Sequence, residues 1–215
     1  MNYKSTYSKL LLALLFCLNG TAFASTTWYV DGVHGSDSNN CMSPTTPCKT
    51  IGHAIPLASS GDTVRVAAAT YSEHLTISKS LKIIGSGASA TIIDGEGVAT
   101  VVTIPNTSAH VILAKMTIRN GHAHAGGSGG GVNNSGTLTI TNSTVSGNVA
   151  PGLCFFLRFL HLWVCGGGVG GGIHSGGTLT LSNSTISGNG AYHGGGIAGS
   201  SDAPEQHCCE QLQRR

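Results

Sequence analysis

Short apolar runs, punctuated by glycine and small polar residues, fill the chain beyond residue 60. The segments TVRVA (63–67), HLTIS (74–78), LKIIG (81–85), TIIDG (91–95), VVTI (101–104) and VILAKMTI (111–118) mix β-branched with polar residues. That is strand spacing, and no stretch carries the 3.6-residue period of an amphipathic helix. Further on the pattern repeats. Residues 129–148 read GGGVNNSGTLTITNSTVSGN and residues 170–189 read GGGIHSGGTLTLSNSTISGN. Aligning the two sets Thr137 on Thr178, Leu138 on Leu179, Ile140 on Leu181 and Val145 on Ile186. A third copy opens at Gly194-Gly-Gly-Ile197. Gly172 to Gly196 is 24 residues and Gly131 to Gly172 is 41. The excess of 17 is close to the length of an odd stretch at 151–165, so the underlying period is about two dozen residues.

A period in that range marks a solenoid. The Thr-Leu-Thr-Ile/Leu alternation supplies strands. The glycine triplets and Ser-Gly-Asn supply positions able to take positive φ, where the chain turns. Strand and turn in each period describe a coil whose strands pair in parallel with those of the next coil, about 4.8 Å away. Leu138, Ile140, Val145 and their counterparts should point inward, with Thr, Ser and Asn outward or at corners. The fold class expected is all-β, a parallel β-helix.

The N-terminus decides the compartment. Lys4 and Lys9 precede or border an apolar core at 10–18, and Ala22-Phe23-Ala24 follows. A basic start, a short apolar core and small residues before the cut make residues 1–24 a secretory signal peptide. The core is about half the roughly 20 residues a membrane span needs. The mature chain then starts at Ser25, and no transmembrane helix is expected in it. Residues 25–62 read as an N-terminal cap and disulfide loop, with Trp28-Tyr-Val30 and Ile51-Gly-His-Ala-Ile55 covering the first coil. Residues 63–200 read as coils, with 151–165 an atypical insertion and 201–215 an atypical tail. In an oxidising compartment the Pro-rich loop between Cys41 and Cys48 is expected to close as a disulfide, worth roughly 2–3 kcal/mol on the loop-closure model.

Charge is sparse. Between residues 25 and 200 there are seven Lys+Arg and six Asp+Glu, a net +1. No basic patch is dense enough for a nucleic-acid backbone, so no nucleic-acid partner is expected.

Trp28-Tyr-Val-Asp-Gly, Gly35-Ser-Asp, Cys41, Cys48-Lys-Thr-Ile51, Gly61-Asp-Thr-Val64 and Tyr71, followed by Leu81-Lys-Ile-Ile-Gly85 and Thr91-Ile-Ile-Asp-Gly95, resemble the opening of pectate-lyase-like β-helix proteins. The resemblance implies a right-handed coil. The downstream units are similar to polymorphic outer-membrane protein repeats, with Val145 and Ile186 where those repeats often carry Phe. These resemblances imply export to the cell surface, the outer membrane or the medium.

Pectate-lyase relatives hold calcium with carboxylates beside the substrate's uronates and use Lys or Arg as the base. Here Asp94 and Glu96 are neighbours, but no Asp or Glu occurs from Gly97 to Ser201. Lys115 and Arg119, four apart, are the basic candidates; surface charge is the simpler reading, and no catalytic residue is assigned. Asp31 and Asp37 could offer oxygens to calcium, but Asx turns explain them more simply. His122 and His124 are spaced like two metal ligands, with His110, His174 and His193 in other coils. Zinc needs three or four convergent ligands, so no metal and no cofactor is expected. Asn142-Ser-Thr144 and Asn183-Ser-Thr185 match a glycosylation sequon, but they belong to the repeat and a stacked Asn at a turn is the simpler reading.

Two stretches break the pattern. LCFFLRFLHLWV (153–164) is the most apolar and aromatic segment after the leader, and reads either as a loop closed by Cys154 and Cys165 or as locally misread coding sequence. The tail at 201–215 departs where the third copy should deliver its strand. Permissible codons re-read one base forward restore a run close to 178–189, so the tail reads as frameshifted and the solenoid as truncated at its C-terminus. The function expected is that of a non-enzymatic, adhesin-like or structural surface module, its partner a surface polysaccharide or a cell-surface protein. A carbohydrate-active, polysaccharide lyase-like β-helix is the alternative, and a nonfunctional fragment of a longer protein is a third reading.

Overall fold

The computed structural model describes residues 25–199; the leader and the tail lie outside the described residues. Three parallel sheets run the length of the molecule. Sheet 1 stacks Thr27–Val30, Thr63–Val66, Leu81–Ile84, His110–Ala114, Thr137–Thr141 and Thr178–Ser182 in that order. Sheet 2 stacks Ala69–Ser72, Thr91–Asp94, Thr117–Arg119, Thr144–Ser146 and Thr185–Ser187. Sheet 3 stacks Leu75–Thr76, Val102–Ile104, Val132–Asn134, Ile173–Ser175 and Ile197–Gly199. The chain visits the sheets in turn, once per coil, and this is the right-handed parallel β-helix expected.

The repeat alignment is the ladder register. Thr137 pairs with Thr178, Leu138 with Leu179, Ile140 with Leu181 and Val145 with Ile186. Ile173 pairs with Ile197, 24 positions on. Alternation sorts the side chains: Leu138, Ile140, Val145, Leu113, Ile118, Val132 and Ile173 have no solvent exposure. The intervening threonines face out.

Corners explain the residues that break alternation. Lys115, Asn142 and Asn183 each follow a sheet 1 strand and adopt φ of 58°, 50° and 47°. In these three coils the equivalent bend thus takes the left-handed region, which Asn tolerates well. The sequon asparagines are therefore bend residues, and the stacked ones lie six positions later. Asn148 is fully buried and donates to the Asn189 side-chain oxygen at 2.9 Å and to the carbonyls of Ile118 and Ser146. Its own oxygen accepts the Gly121 N–H at 2.8 Å. A buried amide is retained here because all of its hydrogen bonds are made.

Thr27–Val30 forms the first rung of sheet 1, and the helix Ile51–Leu57 lies beside it with Ile51, Ala54 and Ile55 buried. Thr50 caps that helix by accepting the His53 N–H, and Glu73 accepts the N–H groups of Ile51 and Gly52. Cys41 and Cys48 are joined as a disulfide and fully buried in the same core. At the other end, Leu179 and Ile186 are half-buried and Leu181 is 36% exposed. No described rung lies beyond them.

Residues 153–166 leave the coil as an antiparallel hairpin, Leu153–Leu157 against Leu162–Gly166, with Cys154 and Cys165 disulfide-bonded across it. The sheet 3 register resumes after it, Val132 pairing with Ile173. The insertion thus lengthens one coil without disturbing the ladder.

Candidate functional site

Five of the six acidic residues among the described residues are spent on nearby donors. Asp31 accepts the N–H groups of Val33 and His34, an Asx-type turn. Asp37 accepts those of Lys49 and Thr50 and the Thr50 hydroxyl. Asp62 accepts Thr26 N–H, Ser59 N–H and the Trp28 indole N–H, tying the first rung to the next turn. Burial pushes the Asp31, Asp37 and Asp62 carboxyls up, but their hydrogen bonds outweigh it and the net shift is downward. For Asp31 the His34 N–H is the largest of all these effects. Glu73 goes the other way. Its burial outweighs the two helix N–H groups and holds its proton more tightly than usual.

Asp94 pairs with Arg119 on the next rung of sheet 2, Nε to Oδ2 at 2.7 Å. The Asn120 amide and the Glu96 N–H complete its shell. Burial raises its carboxyl, and the Glu96 N–H with Arg119 and Asn120 more than reverse this, leaving it below the usual range. Both oxygens are occupied, so this pair is a clamp between coils. Lys115 and Arg119 are not brought together: Lys115 sits at the bend after sheet 1, and Arg119 lies in sheet 2 facing Asp94.

Ligand-like histidines also stay apart. Among the described residues the group with atoms close enough for a metal is Cys41, Cys48 and His53, within 4.8 Å. Its two sulfurs are bonded to each other and are not thiolates. Asp31 and Asp37 have N–H donors aimed at their oxygens, an arrangement that suits an anion acceptor and opposes a cation.

What remains is the outer face of sheet 1. Two outward columns run along it, Thr27–Thr63–Lys82–Ile112–Thr139–Thr180 and Tyr29–Arg65–Ile84–Ala114–Thr141–Ser182. Arg65 and Lys82 are exposed on it, and Lys115 is exposed at its bordering bend. Among the described residues none of the three makes a salt bridge. Neither column contains an acid. Two shallow hollows mark the face. One, of about 320 Å³, is lined by Lys82, His110, Ile112, Thr137 and Thr139. The other, of about 260 Å³, is lined by Tyr29, Asp31, Pro47, Arg65 and Ser86, its one carboxylate already held by the Val33 and His34 N–H groups. Two cations on adjacent rungs, one aromatic ring, threonine hydroxyls and aliphatic side chains thus share a face whose rungs are about 4.8 Å apart. Sequence reading missed this face because Arg65, Lys82 and Lys115 lie 17 and 33 positions apart. Only the register of the coils shows that they share a surface.

No family model matches the chain, and no curated protein matches it. Among solved structures it is similar to pectin methylesterase PemA from Erwinia chrysanthemi, at 15% identity and a TM-score of 0.45. It is also similar to a mutant pectin methylesterase in complex with hexasaccharide IV, at 18% identity and a TM-score of 0.43. Each match covers 78% of this chain and 53% of the solved one, so the chain spans about half the length of these structures. Both solved structures are of pectin methylesterases, against the expectation that the chain is not an enzyme. A count of carboxylates tests only one kind of site. A missing carboxylate ladder opposes a metal-bridged lyase site and does not address chemistry that needs one acid–base pair.

Proposed function

We propose that the chain is an exported, carbohydrate-active β-helix that holds an acidic polysaccharide along the outer face of sheet 1. The observation that carries this is Arg65, Lys82 and Lys115, unpaired among the described residues, on or beside two columns that hold no acid. A uronate chain presents carboxylates at intervals along an extended backbone, and a stacked ladder presents donors in the same way. Charge-assisted hydrogen bonds from Arg and Lys would fix the carboxylates. The Tyr29 ring, Ile112 and Ile84 offer apolar surface to sugar rings, as carbohydrate-sized sites require. The structure's two disulfides, Cys41–Cys48 and Cys154–Cys165, fit an oxidising compartment. Among the described residues no helix is long and apolar enough to cross a membrane. In this reading the 129–148 and 170–189 units are repeats of the polymorphic outer-membrane protein type. They supply stackable rungs, and the chain works at the cell surface or in the medium.

The test is binding of the chain to polygalacturonate at low and moderate salt. Arg65→Ala/Lys82→Ala should weaken binding by roughly tenfold or more, as two charge-assisted contacts are lost. Binding that is unchanged in the double variant, or that does not weaken with salt, sinks the proposal.

A further inference from the structure

The hairpin at 153–166 has the wrong surface for a hairpin in water. An antiparallel pair normally turns one face to the protein and a polar face to solvent. Here the alternating faces are Leu153, Phe155, Leu157, Leu162 and Val164 on one side, and Cys154, Phe156, Trp163 and Cys165 on the other. Phe155 and Leu153 are 50% and 48% exposed, and Phe156 and Trp163 are 41% and 48% exposed. The tip carries Phe159 and Leu160, exposed at 78% and 59%. A docking surface for a folded partner needs one apolar face. Apolar residues on both faces and at the tip suit immersion.

From these contrasts we infer that the hairpin is a membrane-interface anchor for a bilayer surface rich in anionic lipid. Charge selects this occupant. Arg158 and His161 flank the tip, and no Asp or Glu occurs from Gly97 to Gly199. The coil that carries the hairpin and the coils described beyond it therefore hold no acid, and the nearest acid at that corner, exposed Glu96, lies two rungs before it. Each strand has five residues, so the hairpin reaches about 15 Å from the coil. Interfacial segments bury their apolar part about 5–10 Å, within that reach. Strands of this length are about half of what spans a bilayer, and an open hairpin has unpaired backbone that cannot enter the hydrocarbon. So the tip inserts and the edges stay where water satisfies them. Trp163, its ring 5.3 Å from that of Phe156, would sit at headgroup depth, where indoles are favoured. The Cys154–Cys165 disulfide holds the two strands together at the hairpin's base, so little ordering is needed on insertion.

The experiment is co-sedimentation of the full chain with vesicles of phosphatidylcholine alone or mixed with phosphatidylglycerol, wild type against variants. Contributions from residues outside the hairpin are then common to both. The wild type should bind the anionic vesicles more tightly and show a blue shift that Trp163→Phe removes. Phe159→Ser/Leu160→Ser should weaken vesicle binding by roughly 30-fold or more. Arg158→Glu should weaken it several-fold, and only on anionic vesicles. All three variants lie on the projecting hairpin, and an unchanged far-ultraviolet dichroism spectrum shows that the coil is intact. Equal sedimentation of wild type and Phe159→Ser/Leu160→Ser overturns the inference. So does lipid-independent self-association that the same substitutions abolish, which would make a second copy the occupant.

Discussion

Truncating Leu138 to alanine tests the inside–outside assignment most directly. Leu138 has no solvent exposure and stacks between Val111 on one rung and Leu179 on the next. Removing its branched end costs the lost transfer energy and leaves a cavity. Buried Leu→Ala changes cost about 2–5 kcal/mol, more where the site cannot collapse. A β-helix core collapses poorly, because the backbone ladders on both sides of Leu138 fix the rung spacing. The expected cost is therefore about 3–4 kcal/mol. Leu181 is the natural control. It occupies the column of Ile140, one rung on, but is 36% exposed with no described rung beyond it. Leu181→Ala forfeits part of one leucine's burial and leaves no enclosed cavity, so about 1 kcal/mol is expected. Guanidinium titrations followed by far-ultraviolet dichroism would show the difference of roughly 2 kcal/mol as a shift in midpoint at a shared slope. Equal losses at the two positions, or a larger one at Leu181, would refute the assignment of Leu138 to the interior and Leu181 to the edge.

Other perturbations follow from the same contacts. Thr139→Asp, on the outward column beside Ile112, should leave stability nearly unchanged in the same titration. It should weaken binding of polygalacturonate, because it adds a carboxylate to a column that holds none. Asn148→Ala strands the Gly121 N–H and removes one of the two donors to the Asn189 side-chain oxygen, and should cost about 2–3 kcal/mol by denaturant titration. Asp94 binds its proton less tightly when folded than when unfolded. Its contribution is thus complete above the ordinary carboxylate pKa of about 4 and is lost as pH falls through the lower folded value. Acid titration of stability should therefore be shallower in Asp94→Asn, and an unaltered acid limb would remove Asp94 from the account. Replacing both Cys41 and Cys48 with alanine should lower stability by roughly 2 kcal/mol, measured by thermal or denaturant unfolding.

Most of the fold was legible because a solenoid writes its register into the sequence. The two copies of Thr-Leu-Thr-Ile/Leu could only stack in the alignment that superimposes them, since a one-residue slip would turn Leu138 and Ile140 outward. What was hidden were the pairings between unlike coils. Successive sheet 1 partners are Thr63 with Lys82, Leu81 with Val111 and His110 with Thr137, spacings of 19, 30 and 27. Loops of different length absorb those differences at the corners. Periodicity cannot reveal a register whose period changes from coil to coil. The roles of the corner asparagines were blurred for a related reason. Asn142 and Asn148 look alike in sequence, yet one takes a left-handed bend in solvent and the other fills a buried hydrogen-bonding slot.

The candidate sites divide by the same logic. Chemistry was sought in residues close together in sequence, and those residues proved to be structural: Asp31 and Asp37 hold turns, and Arg119 is committed to Asp94. In this β-helix, sequence neighbours separate onto different sheets within a few residues, whereas partners across rungs lie from 19 to 41 residues apart. The Tyr29–Arg65–Lys82 face follows that rule, because each member comes from a different rung of sheet 1. The hairpin is the exception. Its apolar run is contiguous, so the sequence showed it at once, but only the pairing of Phe156 with Trp163 and of Phe155 with Val164 shows that both faces are apolar. The polysaccharide-holding face proposed for the coil and the anchor proposed for the hairpin tip could then serve one molecule. The tip would hold the coil at a bilayer, and the outward sheet would remain open to the matrix above it.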